Sequence, residues 1–281
     1  MSFPYVQLSV KRETPAIWRI TFNNPPINLI NMQTLQEIHQ LTSELEASDE
    51  VKVVVFDSAD PDFFLAHWDI SSGGRPAPNP ERPASWIESS QRLAKAPVVS
   101  IALIRGRARG MGSEIALGLD MRFASLERAI LGQPELGAGL FPGGGGMERL
   151  PRLAGRARAL EIVLGAEDFD AATAERYGWV NRALPDAELD AFVNRLAQRI
   201  ASFDKPALAE AKRAVNQFGL PDPADLKATQ DAFLSSFAWP ATQARGKALA
   251  QLGIGTRSDL EMNFGERLPD VARLAFGNST D

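Results

Sequence analysis

Strand and helix signals alternate along this chain up to about residue 190, and only helix signals follow from Ala191 onward. The segment KVVVFDS at 52–58 is a continuous apolar run, which is typical of a strand buried on both faces of a parallel sheet. The helical signals after Ala191 form three amphipathic stretches with no strand signal between them. Strands alternating with helices, followed by helices alone, predict an α/β core at 1–195 and a C-terminal helical region at 196–281.

Several shorter segments also have clear local signals. Asn31 has the position and the side chain of a helix N-cap. The segment 59–74 is interpreted as a loop, and the proline run that follows it, up to Pro83, is either a mobile lid or a loop ordered by its surroundings. Pro151 is expected to interrupt a helix. The last segment, 258–281, has a weak pattern and is expected to cover a neighbour or to be partly loose.

Composition limits the class of protein. The chain has 44% hydrophobic and 23% charged residues, as globular proteins do, and its net charge of −5 gives no support for a nucleic-acid partner. The absence of cysteine excludes disulfides and thiolate chemistry, and the presence of only two histidines argues against a multi-histidine metal site. We see no signal peptide and no apolar segment of the ~20 residues that a bilayer requires. These features predict a cytoplasmic protein with no metal and no membrane partner.

The stretch from Ile104 to Arg149 holds two glutamates, each next to glycine-rich backbone. Three glycines precede Glu114 and an apolar helical segment, and a glycine turn before a helix leaves unpaired N–H groups. The partial positive charge at a helix N-terminus would stabilise a developing anion in front of those groups. Glu135 follows a short apolar strand and leads into the glycine run of FPGGGG. Two carboxyl groups that converge on such a site are suited to moving protons.

Five segments of the chain resemble the enoyl-CoA hydratase/isomerase (crotonase) family, in the order that the family has them. They are FFLAHWDI at 63–70, KAPVVSIALIRGRARGMGSEIALGLDMRFAS at 95–125, LGQPELGAGLFPGGGGMERLPRLAG at 131–155, EDFDAATAERYGWVNRALPDAEL at 167–189 and KPALAEAKRAVN at 205–216. The resemblance runs from the first strands to about residue 218. A single glycine-rich turn would be a weak signal, whereas five segments in register are specific.

The resemblance implies a crotonase-like α/β fold, a spiral of repeated ββα turns, with a C-terminal helical part that helps to build a homotrimer or a dimer of trimers. It also implies an acyl-CoA substrate and no separate cofactor, because coenzyme A is carried as part of the substrate. By matching positions, the backbone N–H groups of Trp68 and Met111 would bind the thioester oxygen. Glu114 and Glu135 match the two glutamates of the hydratases, where they would position the water and donate a proton to C2.

Four further residues match the substrate-binding site of the family: Ala66, His67, Asp69 and Gly110. His67 and Trp68 stand where the family usually has Gly and Ala, so His67 either contacts CoA or is only a loop residue. Asp69 is favoured as a structural residue. Met111 stands where a glycine is usual, and a Met there would crowd the acyl pocket and would not readily take a backbone conformation that glycine allows.

Other candidate sites in the same stretch stay open or are set aside. Three arginines, Arg105, Arg107 and Arg109, alternate along one side of a strand and turn, where they would bind phosphate or be solvated or paired equally well. The FPGGGG run lacks the Gly-Lys-Ser/Thr of a nucleotide-binding loop and is interpreted as close packing at a helix start beside Glu135. Ser113 lacks the glycine neighbours of a nucleophile elbow.

The resemblance implies an acyl-CoA enzyme or binding protein, with three alternatives for its activity. The first is an enoyl-CoA hydratase that uses both Glu114 and Glu135. The second is a double-bond isomerase, or another CoA-thioester enzyme of the same family, that uses Glu135. An isomerase needs only this carboxyl group to carry a proton between C2 and C4. The third is a CoA-thioester-binding protein with little or no catalysis, its site crowded by Trp68 and Met111.

Overall fold

The computed structural model of the protein describes residues 4–70 and 85–277. Within these ranges the strands are β1 (Leu8–Thr14), β2 (Ile17–Phe22), β3 (Val53–Ser58), β4 (Phe63–Leu65), β5 (Val99–Ile104), β6 (Arg107–Arg109), β7 (Met121–Ser125), β8 (Ile130–Gly132), β9 (Asp168–Asp170) and β10 (Arg182–Leu184). The helices are α1 (Met32–Ala47), α2 (Trp86–Lys95), α3 (Met111–Gly118), α4 (Gly146–Ala154), α5 (Arg156–Gly165), α6 (Ala171–Tyr177), α7 (Asp186–Ala201), α8 (Lys205–Gly219), α9 (Pro223–Ser236), α10 (Pro240–Gln251), α11 (Asp259–Met262) and α12 (Phe264–Phe276). A 3-10 turn at Glu135–Ala138 lies between β8 and α4. The proline run up to Pro83 lies outside the described residues.

The larger of the two sheets has six strands, in the order β1-β2-β3-β5-β7-β10. β1 and β2 pair antiparallel, and the pairs from β2 to β10 are parallel. Side chains of β3 pack alternately on the two faces, with Val54 and Phe56 in one core cluster and Val53 and Val55 in another. Because both faces of β3 are buried, its residues are apolar at consecutive positions, as the sequence predicts.

The smaller sheet has the order β4-β6-β8-β9. Consecutive strands of the chain alternate between the sheets: β3, β5 and β7 belong to the larger sheet, and β4, β6 and β8 to the smaller one. A helix follows each pair, namely α2, α3 and α4. This repeated ββα unit is the spiral that the family resemblance implies, so the predicted fold class is confirmed.

The step from β5 to β6 depends on one glycine. Gly106 has φ +70°, and a Cβ built there would lie 2.2 Å from the carbonyl carbon of Asp62, which precedes β4. Only glycine fits both the backbone conformation and the close approach. The tight turn lets β6 lie beside β4, with Arg107 N donating to Asp62 O at 2.8 Å.

The smaller sheet explains why distant segments of the sequence meet. β4, β6 and β8 are mutually parallel, so their carboxyl ends lie at one edge of the sheet. The residues that follow these ends are 66–69, 110–114 and 133–135. In open parallel sheets, ligands bind beyond the carboxyl ends of the strands. The candidate residues therefore come from three consecutive turns of the spiral.

The C-terminal helices pack onto the core that holds this edge. Helix α7 covers one face of the larger sheet through Leu189 and Val193. The predicted boundary after residue 195 falls inside this helix, because α7 continues to Ala201. Helix α12 buries Leu268 and Val271 in a cluster that includes Ala138 of the 3-10 turn. The described part of the last segment, up to residue 277, forms α11 and α12, and α12 covers the 3-10 turn as one of the two expectations had it.

Three local expectations have definite outcomes. Asn31 is the N-cap of α1, and its side chain accepts from Thr34 N. The predicted loop 59–74 contains β4, a three-residue strand too short to be recognised from the pattern. The expected interruption at Pro151 was wrong, because α4 passes through it and ends at Ala154, before Gly155 with its φ of +80°.

Within residues 4–70 and 85–277, no helix is long and apolar enough to cross a membrane.

We predict that replacing Gly112→Ala disturbs the contact between α3 and β4. A Cβ at this position would lie 2.2 Å from Leu65 O, so the helix start must move away from the strand. Overpacking of this kind typically costs about 1–3 kcal/mol in the free energy of unfolding. Denaturant unfolding measures this cost. Gly246→Ala, in α10, is the control, because no described atom lies within 4 Å of a Cβ at Gly246. Equal stability of the two variants would contradict the close approach.

Candidate active site

A cavity of about 300 Å³ opens at the carboxyl ends of β4, β6 and β8. It is lined by six of the eight residues predicted for the site, namely His67, Trp68, Gly110, Met111, Glu114 and Glu135. Apolar side chains form much of the remaining wall, among them Met32, Leu35, Trp86, Phe233, Leu234 and Phe264. Mostly apolar walls with a few converging polar groups are typical of small-molecule sites.

The two other predicted residues do not line the cavity. Ala66 is 1% exposed and packs in a small apolar cluster with Ile27 and Phe63. Asp69 donates its backbone N–H to Ile30 O at 2.8 Å. Both residues belong to the backbone that supports the wall.

The segment around Trp68 is held against Ile30 as a short parallel bridge. Ile30 N donates to His67 O at 2.9 Å, and Asp69 N donates to Ile30 O. In such a pairing the N–H and C=O of the middle residue point to the side away from the partner. The N–H of Trp68 is therefore directed away from Ile30.

Met111 is the first residue of α3, and its N–H has no acceptor within its own helix. The residue with the unusual conformation is Gly110, at φ 50° and ψ −126°, rather than Met111. The N–H of Gly110 donates to Gly132 O at 2.9 Å, which ties the turn to β8. Thus the expected conflict between the Met side chain and a glycine conformation does not arise, since a glycine occupies the demanding position.

Glu114 lies in the first turn of α3 and is 3% exposed. Its Oε1 accepts from the backbone N–H groups of Gly144, at 2.7 Å, and Gly146, at 2.8 Å. Burial raises the pKa of Glu114 to about 7, although these two N–H groups favour the charged carboxylate and oppose the shift. The group is therefore poised to change its charge near neutral pH.

The backbone around Gly144 fits closely against this carboxylate. A Cβ at Gly144 would lie 2.5 Å from Oε2 of Glu114, so only a glycine leaves room for it. The carbonyl of Gly144 accepts from the indole Nε1–H of Trp86 at 2.9 Å. The FPGGGG run therefore packs closely at a helix start, as predicted, but its N–H groups contact Glu114 rather than Glu135.

Glu135 begins the 3-10 turn after β8, and its surroundings differ from those of Glu114. Its Oε2 is buried without a hydrogen-bond partner among the described residues. Burial, and then the charge of Glu114, raise the pKa of Glu135 well above its usual value. These surroundings favour the protonated carboxyl over the carboxylate.

Gln133, which the sequence reasoning did not single out, supports that protonation state. Its amide is satisfied when the nitrogen faces Gly110 O at 3.2 Å, Ser113 Oγ at 3.0 Å and Gly132 O at 3.2 Å. The amide oxygen then lies 3.4 Å from Oε1 of Glu135, where it would accept from a protonated carboxyl. The sequence signal that could have identified Gln133 is its position two residues before Glu135.

The three arginines that were left open are paired within the chain. Arg105 forms an ion pair with Asp186, and Arg109 forms a two-pronged ion pair with Asp168. Arg107 donates to Met262 O at 3.0 Å. All three side chains therefore make structural contacts within the chain. Within the described ranges there is also no group of three or more His, Cys, Asp or Glu side chains suited to a metal ion.

His67 makes two polar contacts from the cavity wall. Its Nδ1 lies 2.7 Å from Trp68 O, and its Nε2 lies 2.7 Å from Oε1 of Glu261 in α11. Glu261 is fully buried and was not singled out from the sequence. No local pattern could have found it, because it lies 194 residues from its partner.

Comparisons with known proteins agree with this architecture. The sequence profile of the enoyl-CoA hydratase/isomerase family matches residues 12–246. The chain is 34% identical over 201 residues to a short-chain-enoyl-CoA hydratase of Clostridium acetobutylicum, covering 70% of this chain and 77% of that protein.

Solved structures extend the likeness over nearly the whole chain. A candidate enoyl-CoA hydratase from Streptomyces avermitilis is 43% identical with a TM-score of 0.88, covering 96% of this chain and 98% of the other. An enoyl-CoA hydratase from Bacillus anthracis is 25% identical with a TM-score of 0.70, covering 88% and 96%. With the profile match and the repeated ββα unit, these comparisons show that the chain belongs to the enoyl-CoA hydratase/isomerase family of enzymes.

Proposed function

We propose that the protein is an enoyl-CoA hydratase, which adds water across the C2–C3 double bond of a 2-enoyl-CoA thioester. The observation that carries this proposal is that Glu114 and Glu135 line one apolar cavity in unlike surroundings. Glu114 accepts two backbone hydrogen bonds, whereas Glu135 has a buried oxygen with no hydrogen-bond partner among the described residues. Paired carboxyl groups whose surroundings separate their pKa values are suited to act as a base and an acid.

The thioester oxygen would accept from the N–H groups of Trp68 and Met111. As water attacks C3, electron density moves from the double bond onto this oxygen and forms an enolate. The N-terminus of α3 adds partial positive charge beside the Met111 donor. Removal of one such donor typically lowers the rate by ~10²–10³-fold.

The two glutamates would complete the addition of water. Glu114, as a carboxylate, takes a proton from the water whose oxygen bonds to C3. Glu135, as a carboxylic acid, gives its proton to C2 as the enolate collapses. Transfer of the proton from Glu114 back to Glu135, directly or through solvent, restores both groups. The product is a 3-hydroxyacyl-CoA, and coenzyme A enters and leaves as part of the substrate.

The homotrimer or dimer of trimers remains part of this proposal. Helix α8 has no buried residue, and its Val215 and Phe218 are 70% and 88% exposed. Large apolar side chains exposed together on one helix are typical of subunit contacts. Sedimentation equilibrium would measure the assembly.

A cytoplasmic location stays a prediction.

We predict that Glu114→Gln and Glu135→Gln each lower the kcat of hydration by about 10²–10⁴-fold, the usual contribution of a positioned acid or base. Both changes keep the size of the side chain. Glu175→Gln, on the exposed side of α6, is the matched control and should leave kcat unchanged. Steady-state hydration of short- and long-chain 2-enoyl-CoA measures the effect.

The same pair of variants separates the alternatives. An isomerase would keep most of its activity in Glu114→Gln, because one carboxyl group at Glu135 is enough to carry a proton between C2 and C4. A binding protein would bind acyl-CoA in calorimetry without turnover by the unmodified protein. Hydration that survives in both variants would contradict the proposal.

We predict a bell-shaped dependence of kcat/KM on pH. The rate should fall as pH drops through about 7, because Glu114 then gains the proton that disables it as a base. The rate should fall again at higher pH as Glu135 loses its proton. The two carboxyl groups interact, so the limbs report the pair. Glu135→Gln should remove the contribution of Glu135 to the alkaline limb, and an unchanged limb would contradict its role as the acid.

A further inference from the structure

His67 and Glu261 form a second acid–base pair beside the cavity, separate from the two glutamates of the proposed mechanism. His67 is 8% exposed and lines the cavity, whereas Glu261 is fully buried in α11. The contact joins the segment after β4 to the C-terminal helices, through 2.7 Å between Nε2 and Oε1. A buried charged side chain is costly unless it is paired, so the contact needs an account.

Both ring nitrogens of His67 face acceptors. Nδ1 lies 2.7 Å from the carbonyl oxygen of Trp68, and Nε2 faces the carboxyl of Glu261. An imidazolium donates from both nitrogens at once, whereas a neutral ring donates from only one. A neutral ring would fit only if Glu261 were itself protonated and donated to Nε2.

One contact favours the charged pair over the neutral one. The N–H of Gly255 donates at 2.8 Å to the same Oε1 that contacts His67, as expected for a carboxylate. The guanidinium of Arg109 donates to the backbone carbonyl of Glu261 at 2.6 Å. Its positive charge favours the carboxylate of Glu261 but opposes the imidazolium of His67, so it does not select between the two forms of the pair. Burial lowers the pKa of His67, but the charge and hydrogen bond of Glu261 outweigh burial and leave it raised. Burial likewise raises the pKa of Glu261, but His67 leaves it lowered.

The surroundings of His67 contain several other charged or titratable groups. Arg109 of β6 forms an ion pair with Asp168 of β9. Glu135 lies across Gly110: a Cβ at that glycine would be 3.1 Å from its Oε1 and 3.5 Å from the Cβ of His67. Asp69 follows two residues later along the chain. Glu261 is the group in direct contact with the ring.

The contact with Trp68 links this pair to the proposed oxyanion hole. Ile30 holds one side of the segment, through His67 O and Asp69 N. The carbonyl and the N–H of Trp68 lie on the opposite side. The imidazolium hydrogen-bonds to this carbonyl oxygen. The contact therefore restrains the Trp68 backbone on the same side as the N–H that is proposed to bind the thioester oxygen.

We propose that the His67–Glu261 ion pair positions the backbone N–H of Trp68 for hydration, and so makes turnover depend on the C-terminal helix α11. The proposal rests on the proposed hydratase function. His67 and Glu261 are positioning residues, which act through the Trp68 backbone and transfer no proton to the substrate. His67 stands where the family resemblance usually places a glycine, which has no side chain to make this contact.

The first test replaces Glu261→Gln, which keeps the size of the side chain and an acceptor for Nε2 but removes the charge. We expect kcat to fall by about 10–100-fold with little change in KM, since misplacement of a catalytic group by about 1 Å costs up to ~10²-fold. The alkaline limb of kcat should move to lower pH, because His67 then loses its proton more easily. Glu266→Gln, at an exposed position of α12, is the matched control and should match the unmodified protein.

The second test reads the charge of His67 directly by NMR of the imidazole ring over a pH series in the unmodified protein. The chain has only two histidines, so His67→Gln assigns the signal by removing it. We expect both ring nitrogens of His67 to stay protonated above the ordinary pKa of about 6.5. A neutral ring at pH 6 would overturn the proposal even if Glu261→Gln failed to fold.

The outcomes separate this role from the function on which it rests. Failure of the unmodified protein to hydrate any enoyl-CoA overturns the proposed function and this role with it. Normal hydration that Glu261→Gln and His67→Gln leave unchanged in kcat and in pH dependence overturns this role alone. Loss of thermal stability without a change in kcat would likewise make the pair merely structural.

Discussion

The parallel pairing of β4, β6 and β8 is the interaction on which the site depends. It places the carboxyl ends of three short strands at one edge of the smaller sheet. In the sequence, a helix and a strand of the larger sheet separate each of these strands from the next. The pairing requires close backbone contacts at Gly106 and Gly112, where a Cβ would collide with Asp62 and Leu65. Two glycines therefore determine how near the three loops can approach.

The two glutamates are both buried, but different hydrogen-bond partners give them different chemistry. Both carboxyl groups lose solvation in the apolar cavity, and this loss is the largest cause of their raised pKa values. Glu114 recovers part of that loss from the N–H groups of Gly144 and Gly146. Glu135 faces Gln133 and keeps an oxygen that no group in residues 4–70 and 85–277 hydrogen-bonds. The same residue type can therefore serve as a base in one position and as an acid in the other.

The sequence was sufficient for the features that depend on local pattern. Apolar runs predicted β3 and β8, although the three-residue strand β4 was not recognised. The resemblance to the family identified Trp68, Met111, Glu114 and Glu135, which line one cavity. The structure added that Gly110, rather than Met111, takes the demanding backbone conformation. Only the backbone dihedral angles show which of these two neighbouring residues takes that conformation.

Contacts between distant segments were beyond the sequence. The N–H groups that hold Glu114 lie 30 and 32 residues away, and their direction depends on the turn before α4. Glu261 meets His67 because α11 packs against the segment after β4, which a weak C-terminal pattern does not reveal. The boundary predicted after residue 195 falls inside α7, which packs on the larger sheet.

The most direct test of the central claim is the reaction of a 2-enoyl-CoA with this protein in water enriched in ¹⁸O, followed by mass spectrometry of the product. Two buried carboxyl groups acting as base and acid predict a 3-hydroxyacyl-CoA with one ¹⁸O atom at C3. A thioester with its double bond moved to C3–C4 and no ¹⁸O, or an unchanged thioester, would contradict the account.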